Sequence, residues 1–292
     1  MPEPAGPPVA RVGVVGGGQM GAGIAEVCAR AGLDVVVSEV DEDRVARAWE
    51  RIEGSLGRAV ERGKLLPEGR AAALERIGLT TDIDALGDRQ LVVEAIGESE
   101  PQKRVVLSRL DRAVEDPEAI LGSNTSSIPI ARLAAATSRP ESVIGLHFFN
   151  PVPILPIVEV VPSCFTSPAV RERAEGFVGG ALGMRIIHAP DRAGFVLNAM
   201  LVPFLLSAVR MLEGGFATAD DIDASMVVGC GHPMGPLALA DFIGLDTVMG
   251  IANSLHDAST EALHAPPALL VRMVSEGRLG RKTGEGFYRY TA

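Results

Sequence analysis

The chain has 292 residues, of which 47% are hydrophobic and 22% are charged, and this composition is typical of one or two packed globular domains rather than of a disordered chain. The formal net charge of −10 argues against a general nucleic-acid binder, which needs a basic face. The 3 cysteines form no CxxC pair, so the sequence favours neither a zinc site nor a disulfide framework, and a reducing compartment fits best.

The start of the chain, residues 1–8, is rich in proline and lacks the basic and apolar regions of a signal peptide. No uncharged apolar run reaches the length of about 18 residues that a membrane-spanning helix requires. We therefore expect a soluble cytoplasmic protein without a membrane partner.

The first two thirds of the chain alternate between short apolar runs, which predict strands, and longer helical patterns. The predicted strands are residues 10–15, 34–38, 91–95, 120–123, 143–147 and 184–187. The predicted helices are residues 20–31, 41–62, 67–76, 102–114 and 168–182. This alternation predicts an α/β fold with a Rossmann-like, doubly wound and mostly parallel sheet.

Beyond Pro190 the apolar periodicity is helical, and clusters of glycine and proline punctuate it. This change predicts a second, all-helical domain. We place the boundary near residues 189–193, which gives one domain over 1–189 and another over 190–292. The apolar segment 195–209 is expected to be a buried helix rather than a membrane span.

A glycine-rich turn follows the first predicted strand and opens the first predicted helix, with the sequence GGGQMG over residues 16–21. In this context GxGxxG is a dinucleotide-binding fingerprint. Gly16 permits the tight turn, Gly18 lets the backbone approach a pyrophosphate, and Gly21 lets the helix pack closely on the strand. Glu39, 18 residues after Gly21, ends the second strand and favours NAD over NADP, although the motif alone also permits FAD.

Polar side chains also follow later strands, in the segments GSNTSS (122–127) and GLHFFNPVP (145–153). Ligands of doubly wound sheets bind outside the carboxyl ends of the strands. His147 could remove the proton of an alcohol while hydride leaves, and Glu159 could orient and stabilise its ring. Ser126 could hold the same oxygen.

Together these segments resemble the 3-hydroxyacyl-CoA dehydrogenase family, and in particular its single-function type, which acts on substrates such as 3-hydroxybutyryl-CoA. The resemblance covers residues 9–290. Its motifs are the glycine fingerprint, VVEAI (92–96), SNTSS (123–127), HFFNP (147–151), DRAGFVLN (191–198), HPMGPLALAD (232–241) and KTGEGFY (282–288).

The resemblance implies an NAD-binding Rossmann-like domain, a helical domain for substrate binding and dimerisation, and a homodimer that oxidises acyl-CoA thioesters of fatty acid metabolism. The implied catalytic residues are His147, Glu159, Ser126 and Asn198. The predicted cofactor contacts are Gly16, Gly18, Gln19, Met20, Gly21, Glu39, Glu98, Lys103, Ser126, Asn150 and Lys282. The predicted substrate contacts are Ser55, Arg62, Ser126 and Asn198.

Three positions depart from the family pattern, namely Ser99, Pro156 and His232. Pro156 resembles the sugar-acid branch of the superfamily, so a dehydrogenase of an L-gulonate-like sugar acid or of a carrier-bound hydroxyacid remains an alternative. A non-catalytic protein with the same fold is a further alternative, although the four implied catalytic residues are all present. The other histidines share no ligand spacing, so no metal site is predicted.

Overall fold

The computed structural model describes residues 8–290, so the proline-rich segment 1–7, part of the region predicted not to be a signal peptide, lies outside the described residues. The chain divides into two compact units between Asp191 and Arg192. The carboxylate of Asp191 accepts hydrogen bonds from Ile130 N–H (2.5 Å) and Ala131 N–H (2.8 Å), which ties this residue to the first unit.

The first unit contains eight strands. They are β1 (Arg11–Val15), β2 (Asp34–Ser38), β3 (Ile77–Thr80), β4 (Leu91–Glu94), β5 (Ile120–Ser123), β6 (Val143–Phe148), β7 (Ile157–Pro162) and β8 (Arg185–His188). They form one sheet in the order β3-β2-β1-β4-β5-β6-β7-β8. The first six run parallel, β7 pairs antiparallel with β6, and β8 runs parallel to β7. The predicted doubly wound, mostly parallel sheet is confirmed.

Six α-helices flank this sheet, namely α1 (Gln19–Arg30), α2 (Glu42–Glu61), α3 (Pro67–Glu75), α4 (Glu100–Ala113), α5 (Ile130–Ala134) and α6 (Pro168–Glu175). The amphipathic pattern of α2 shows why they form: Ala48, Ile52 and Leu56 recur every four residues and are buried. Asp41 caps this helix by accepting a hydrogen bond from Arg44 N–H (2.8 Å).

The predicted helix 168–182 is only partly α-helical, because α6 ends at Glu175 and a π-helical turn continues over Gly176–Ala181. This turn contains three glycines, which have a low propensity for the α-helix and tolerate the wider turn of a π-helix.

Two strands of the sheet have no counterpart among the predicted strands. The edge strand β3 is short and only its first residue, Ile77, is buried, so its apolar signal is weak. The strand β7 carries Glu159 at its centre, and this carboxylate interrupts an otherwise apolar run. In both cases pairing with a neighbouring strand outweighs the local sequence pattern.

The second unit is helical, as predicted, with α7 (Leu197–Glu213), α8 (Ala219–Cys230), α9 (Pro236–Ile243), α10 (Leu245–Ser259) and α11 (Ala268–Ser275). Its core contains Leu205, Leu237, Leu245 and Leu270, each fully buried. Within residues 8–290 no single helix has the length and composition of a membrane span, although α9 and α10, bent by 97°, would meet that test as a pair.

Candidate active site

Two close backbone contacts determine the shape of the glycine turn after β1, one with the end of β2 and one within the turn itself. Gly16 has a φ of +96°, in the region that side chains rarely adopt, and its N–H donates to Ser38 O (2.8 Å) at the end of β2. A Cβ atom on Gly21 would lie 1.7 Å from Gly16 O, so only glycine allows α1 to pack this closely on the turn. The outer two glycines of the fingerprint are therefore required by packing within the protein.

Gly18, in the middle of the fingerprint, has a different environment. Apart from its chain neighbours and the adjacent helix backbone, no heavy atom of residues 8–290 would lie within 4 Å of a Cβ atom at this position. Gly18 is also the N-cap of α1, a helix with no side-chain cap and no acidic residue in its first turn. The N–H groups at this end can therefore receive a phosphate, together with the positive end of the helix dipole. The residues present thus fit the pyrophosphate of NAD.

Glu39 faces the glycine turn from the end of β2. Its Oε1 accepts a hydrogen bond from Gly17 N–H (2.7 Å) and its Oε2 accepts one from Val40 N–H (3.1 Å). The carboxylate lines a cavity of about 730 Å³, whose walls include Val40, Ile83 and Val105. Apolar walls with a carboxylate at the edge suit an adenosine, with the base between the walls and its ribose on the acid.

His147 on β6 and Glu159 on β7 are paired residues in the antiparallel register. Directly opposed side chains lie on the same face of a sheet. Accordingly, His147 Nδ1 lies 2.7 Å from Glu159 Oε2, and both residues are buried. Phe149 packs against the imidazole, with ring centroids 4.8 Å apart. The carboxylate accepts the Nδ1 proton, so Nε2 carries the lone pair of the neutral ring.

The loop after β5 lies beside the histidine because β5 and β6 are neighbours in the sheet. Asn124 in this loop joins three strand ends. Its N–H donates to Glu94 O (2.8 Å) at the end of β4, and its Oδ1 accepts from Phe148 N–H (2.8 Å), the residue after His147. Asn124 therefore fixes the position of the backbone that carries the imidazole.

Glu98, in the connection between β4 and α4, accepts several hydrogen bonds from the loop after β5. Its Oε1 accepts hydrogen bonds from the hydroxyls of Thr125 (2.6 Å), Ser127 (2.9 Å) and Ser126 (3.3 Å). The backbone N–H groups of Ser126 and Ser127 donate to it as well. Burial raises the pKa of this carboxyl, but Lys103 and these donors outweigh it, and the pKa lies below the ordinary value of 4.5.

Lys103 on α4 is buried and 1% exposed. Its ammonium contacts Glu94 Oε1 (2.7 Å), Ile96 O (3.2 Å) and Glu98 Oε2 (3.4 Å). The second oxygen of Glu94 accepts from Ser123 Oγ (2.6 Å). Lys103 therefore belongs to a buried network of hydrogen bonds and ion pairs that holds Glu98 in position.

Two family models match the chain. The NAD-binding domain of 3-hydroxyacyl-CoA dehydrogenase matches residues 11–191, and the C-terminal domain of the same enzyme matches residues 194–290. The chain belongs to the 3-hydroxyacyl-CoA dehydrogenase family.

Relatives within this family are similar along nearly their whole length. A 3-hydroxybutyryl-CoA dehydrogenase of Mycobacterium tuberculosis is 52% identical over 97% of this chain and 99% of its own. The mitochondrial hydroxyacyl-coenzyme A dehydrogenase of Homo sapiens is 41% identical over 97% and 91%. The crystal structure of M. tuberculosis FadB2 superposes with a TM-score of 0.97 at 52% identity, covering 98% of this chain and 100% of that one.

In this 3-hydroxyacyl-CoA dehydrogenase family member, a second cavity of about 570 Å³ lies between α1, α2 and the 150–153 segment. Ser55 lines it together with Arg51 and Arg58. At its edge Gln19 Nε2 donates to Asn150 Oδ1 (2.9 Å). Three of the predicted contacts, namely Ser55, Gln19 and Asn150, line this cavity. Arg62 was predicted as a further substrate contact, but it is the exposed C-cap of α2 and does not line the cavity.

Asn198 and Lys282 belong to the second unit. Asn198 is buried in the first turn of α7. Lys282 Nζ contacts both oxygens of Asp246, at 2.5 Å and 2.7 Å. The roles of these two residues towards substrate and cofactor stay predictions.

The C-terminal family motifs form a carboxylate clamp in the second unit. Asp241 Oδ1 accepts from Phe287 N–H (2.9 Å), and its Oδ2 accepts from Tyr288 N–H (3.0 Å) and from the Tyr290 hydroxyl (2.9 Å). Asp223 accepts the Tyr288 hydroxyl (3.0 Å). These motifs therefore have a structural explanation, since they attach the end of the chain to α9 and α8.

Sequence reasoning missed Glu94, Asn124 and Thr125 as parts of the site. All three lie in the motifs VVEAI and SNTSS, within which the resemblance assigns a role to Ser126 alone. The signal that could have found them is their position at the carboxyl ends of adjacent strands β4 and β5. Among the described residues, no group of three His, Cys, Asp or Glu side chains could hold a metal ion.

Proposed function

We propose that this chain oxidises L-3-hydroxyacyl-CoA thioesters, such as 3-hydroxybutyryl-CoA, to the 3-oxoacyl thioesters with NAD, and catalyses the reverse reduction. The observation that carries the proposal is the pairing of His147 with Glu159 at 2.7 Å, on the strands that follow the dinucleotide fingerprint. Family membership and the relatives named above support the substrate class.

His147 removes the hydroxyl proton in the oxidative direction. Its Nε2 accepts the proton from the 3-hydroxyl, the carbon–hydrogen bond at C3 breaks, and the electron pair left by the O–H bond forms the C3–oxygen double bond. NAD, when bound, supplies the acceptor for the hydride that leaves C3. In the reductive direction the imidazolium returns the same proton to the oxygen.

Glu159 stabilises the imidazolium that this step creates. Its carboxylate is buried beside Nδ1, where a charge interaction is screened less than at the surface. It also fixes the ring orientation, as a carboxylate does in other histidine-based sites.

Ser126 and Asn198 are proposed to hold the substrate's 3-oxygen. The Ser126 hydroxyl lies 3.3 Å from Glu98 Oε1, and Glu98 thereby fixes the loop that carries it. Asn198 comes from the second unit, for which the sequence predicts a substrate-binding role.

The cofactor is proposed to contact the glycine turn, Glu39 and Glu98. Lys103 would act through Glu98, because its ammonium is buried and paired. The coenzyme A arm is proposed to use the cavity lined by Ser55, whose charged residues are Arg51 and Arg58 together with Glu26 and Glu50, and the two arginines would contact its phosphates.

We further propose that the protein is a homodimer that assembles through the helical domain. We also propose a cytoplasmic location and a role in fatty acid metabolism, with no nucleic-acid or membrane partner. Large apolar side chains on the second unit support the dimer, since Val228 is 85% exposed and Phe216 is 84% exposed. Light scattering should give twice the chain mass of 30.6 kDa. A monomeric mass would contradict the dimer without affecting the activity.

The activity is tested by following nicotinamide absorbance with acetoacetyl-CoA and NADH, with L-gulonate and NAD as the comparison. We expect rapid turnover of the thioester and little or none of the sugar acid. Preferential turnover of L-gulonate would favour the alternative raised by Pro156, and turnover of neither substrate would contradict the proposal.

A further inference from the structure

Glu26 on α1 is buried, and only one of its two carboxyl oxygens has a partner. The residue is 1% exposed, and its Oε1 contacts the guanidinium of Arg30 at 3.3 Å. Its Oε2 is the one buried side-chain oxygen within residues 8–290 that has no hydrogen-bond partner. Burial of such an atom forfeits its hydrogen bonds to water, and most buried polar groups are paired. The carboxyl group is therefore able to accept a further hydrogen bond from a ligand.

Glu26 lines the cavity of about 570 Å³ that Ser55 also lines. On the α1 side, the lining residues Gln19 and Glu26 are about two turns apart and share one face of the helix. On the α2 side, Arg51, Ser55 and Arg58 follow one another at helical spacing. Both arginines are exposed, so the cavity has basic residues at its exposed side and a carboxyl acceptor at its buried side.

These charges divide the cavity between two kinds of ligand group. The exposed Arg51 and Arg58 can bind a phosphate, whereas the carboxylate of Glu26 would repel one. Glu50, the second acidic residue of the lining, is exposed, so water screens its charge. An uncharged N–H donor suits the buried acceptor, because it loses less hydration than an ion does on entering. Glu26 is therefore suited to the uncharged part of a ligand that carries its phosphates elsewhere.

The covalent order of a coenzyme A thioester matches this division. Its pantetheine arm is uncharged, contains amide N–H groups and connects the thioester to the phosphates. Gln19 and Asn150, whose side chains are hydrogen-bonded at 2.9 Å, lie at the edge of the cavity, and Asn150 follows His147 by three residues. A thioester that reacts at His147 while the arginines hold its phosphates has its arm along the face of α1 that carries Glu26.

We propose that Glu26 is a substrate-binding residue whose carboxylate accepts a hydrogen bond from an amide N–H group of the pantetheine arm. The last torsion of a glutamate side chain is soft, so the carboxyl group can turn towards this donor while α1 stays in place. The inference deepens the proposed function and rests on it, because it assumes that a coenzyme A thioester occupies this cavity.

Glu26→Gln is the matched change. Glutamine keeps the size of the side chain, but its amide places N–H donors where an oxygen stands, so the donor of the ligand meets a donor of the protein. Glu26→Met has a similar length and no acceptor, and it covers the case in which Glu26→Gln does not fold. Glu61→Gln is the control, because Glu61 is exposed at the end of α2 and does not line the cavity.

Calorimetric titration with coenzyme A and with adenosine 3′,5′-bisphosphate, which lacks the arm, measures binding without turnover. We expect Glu26→Gln to weaken the binding of coenzyme A about tenfold or more, since a hydrogen bond to a charged group contributes at least that factor. Binding of the bisphosphate should be unchanged, and Glu61→Gln should alter neither. Equal weakening of both ligands would overturn the proposal. So would an unchanged affinity for coenzyme A with a lowered thermal midpoint, because Glu26 would then have a structural role only.

A coenzyme A analogue with methylated amide nitrogens removes the donor from the side of the ligand. It should bind the unaltered chain about tenfold more weakly than coenzyme A does. This difference should largely disappear in Glu26→Gln and in Glu26→Met, because the two changes remove the same hydrogen bond. A difference of the same size in both variants would assign the amide to another acceptor and contradict the proposal.

Kinetics with acetoacetyl-CoA separate this inference from the proposed function. Turnover by the unaltered chain with NADH tests the proposed function by itself. In Glu26→Gln, KM for the thioester should rise about tenfold or more while kcat changes little, because the arm is bound equally in the ground state and the transition state. Turnover by the unaltered chain, together with an unchanged KM in Glu26→Gln, would overturn the role of Glu26 alone.

Discussion

His147 and Glu159 are register partners across the antiparallel pair β6 and β7, and their side chains meet with Nδ1 and Oε2 2.7 Å apart. The pair lies where the sheet changes direction, between the six parallel strands and the reversed strands β7 and β8. A parallel neighbour needs a long crossover, but an antiparallel one returns after a short connection. The two groups are therefore 12 positions apart in the chain.

Replacing His147 by alanine should lower kcat with acetoacetyl-CoA by about 10²–10⁴, the usual contribution of a general base or acid. Binding of NADH should be retained, because the glycine turn and Glu39 are unchanged. Steady-state kinetics and a fluorescence titration with NADH measure the two effects. His188→Ala is the control, because this histidine is exposed on β8, and wild-type kcat in His147→Ala would show that the base lies elsewhere.

Glu159→Gln should lower kcat by roughly 10-fold to 100-fold while the protein stays folded. The amide oxygen can still accept the Nδ1 proton, but the charge that stabilises the imidazolium is lost, and hydrogen bonds to charged groups contribute about 1.5–3 kcal/mol. The measurement is kcat alongside the thermal midpoint. If kcat is unchanged and only the midpoint falls, Glu159 has a structural role and not the proposed electrostatic one.

Glu98→Gln should remove a pH-dependent part of the stability. The pKa of Glu98 in the folded protein lies below the ordinary 4.5, so its contribution is present above about that pH and is lost as the pH falls through the folded value. Urea unfolding at a series of pH values should show the wild type more stable near neutrality and the difference shrinking in acid. Glu75→Gln, at the exposed end of α3, should show no such trend. A difference that is constant with pH would contradict the prediction.

Asp241→Ala should destabilise the second unit by about 3 kcal/mol or more. Asp241 is buried and accepts three partly buried hydrogen bonds, from two backbone N–H groups and from the Tyr290 hydroxyl, and a donor that loses its acceptor away from water costs about 1–3 kcal/mol. Tyr290→Phe removes a single hydrogen bond and should cost about 1 kcal/mol. Denaturant unfolding compares the variants, and equal losses in both would show that the backbone contacts contribute little.

Two of the three thiols should react with a disulfide reagent in the native protein. Cys164 and Cys230 are exposed, whereas Cys28 is fully buried in α1, and burial raises its pKa to about 12. The thiolate is the reactive form, so Cys28 should react only after unfolding. Counting released thiolate with and without denaturant checks this, and three rapid equivalents in the native protein would be inconsistent with the packing of α1.

The sequence predicted most of the fold because its strands are buried on both faces and read as continuous apolar runs. β2 and β5 have the predicted bounds, and the other predicted strands differ by one residue at an end or at both ends. The strand β7 was not predicted, because Glu159 stands near its centre and interrupts the apolar run. Glu159, a residue of the candidate site, thus made the strand that positions it hard to predict from the sequence.

The site was less predictable than the fold. His147 and Glu159 could be proposed from chemistry, because both residue types suit a proton-transfer pair. The roles of Asn124 and Glu94 depend on which strands are neighbours in space, and no local pattern encodes that. Lys103 shows the same limit, because its burial beneath Glu98 depends on the packing of α4 on the sheet and not on its spacing in the sequence.

Side chains alternate between the two faces of a strand, so the meeting of imidazole and carboxylate depends on the alignment of β6 with β7. A single residue inserted in β6 after His147, or in β7 before Glu159, would rotate one group to the opposite face and abolish the contact, although neither side chain had been altered. Lengthening the connection 149–156 leaves the alignment untouched. A change of length in that connection should therefore leave the pair intact, whereas a change within either strand between the pair and the connection should not.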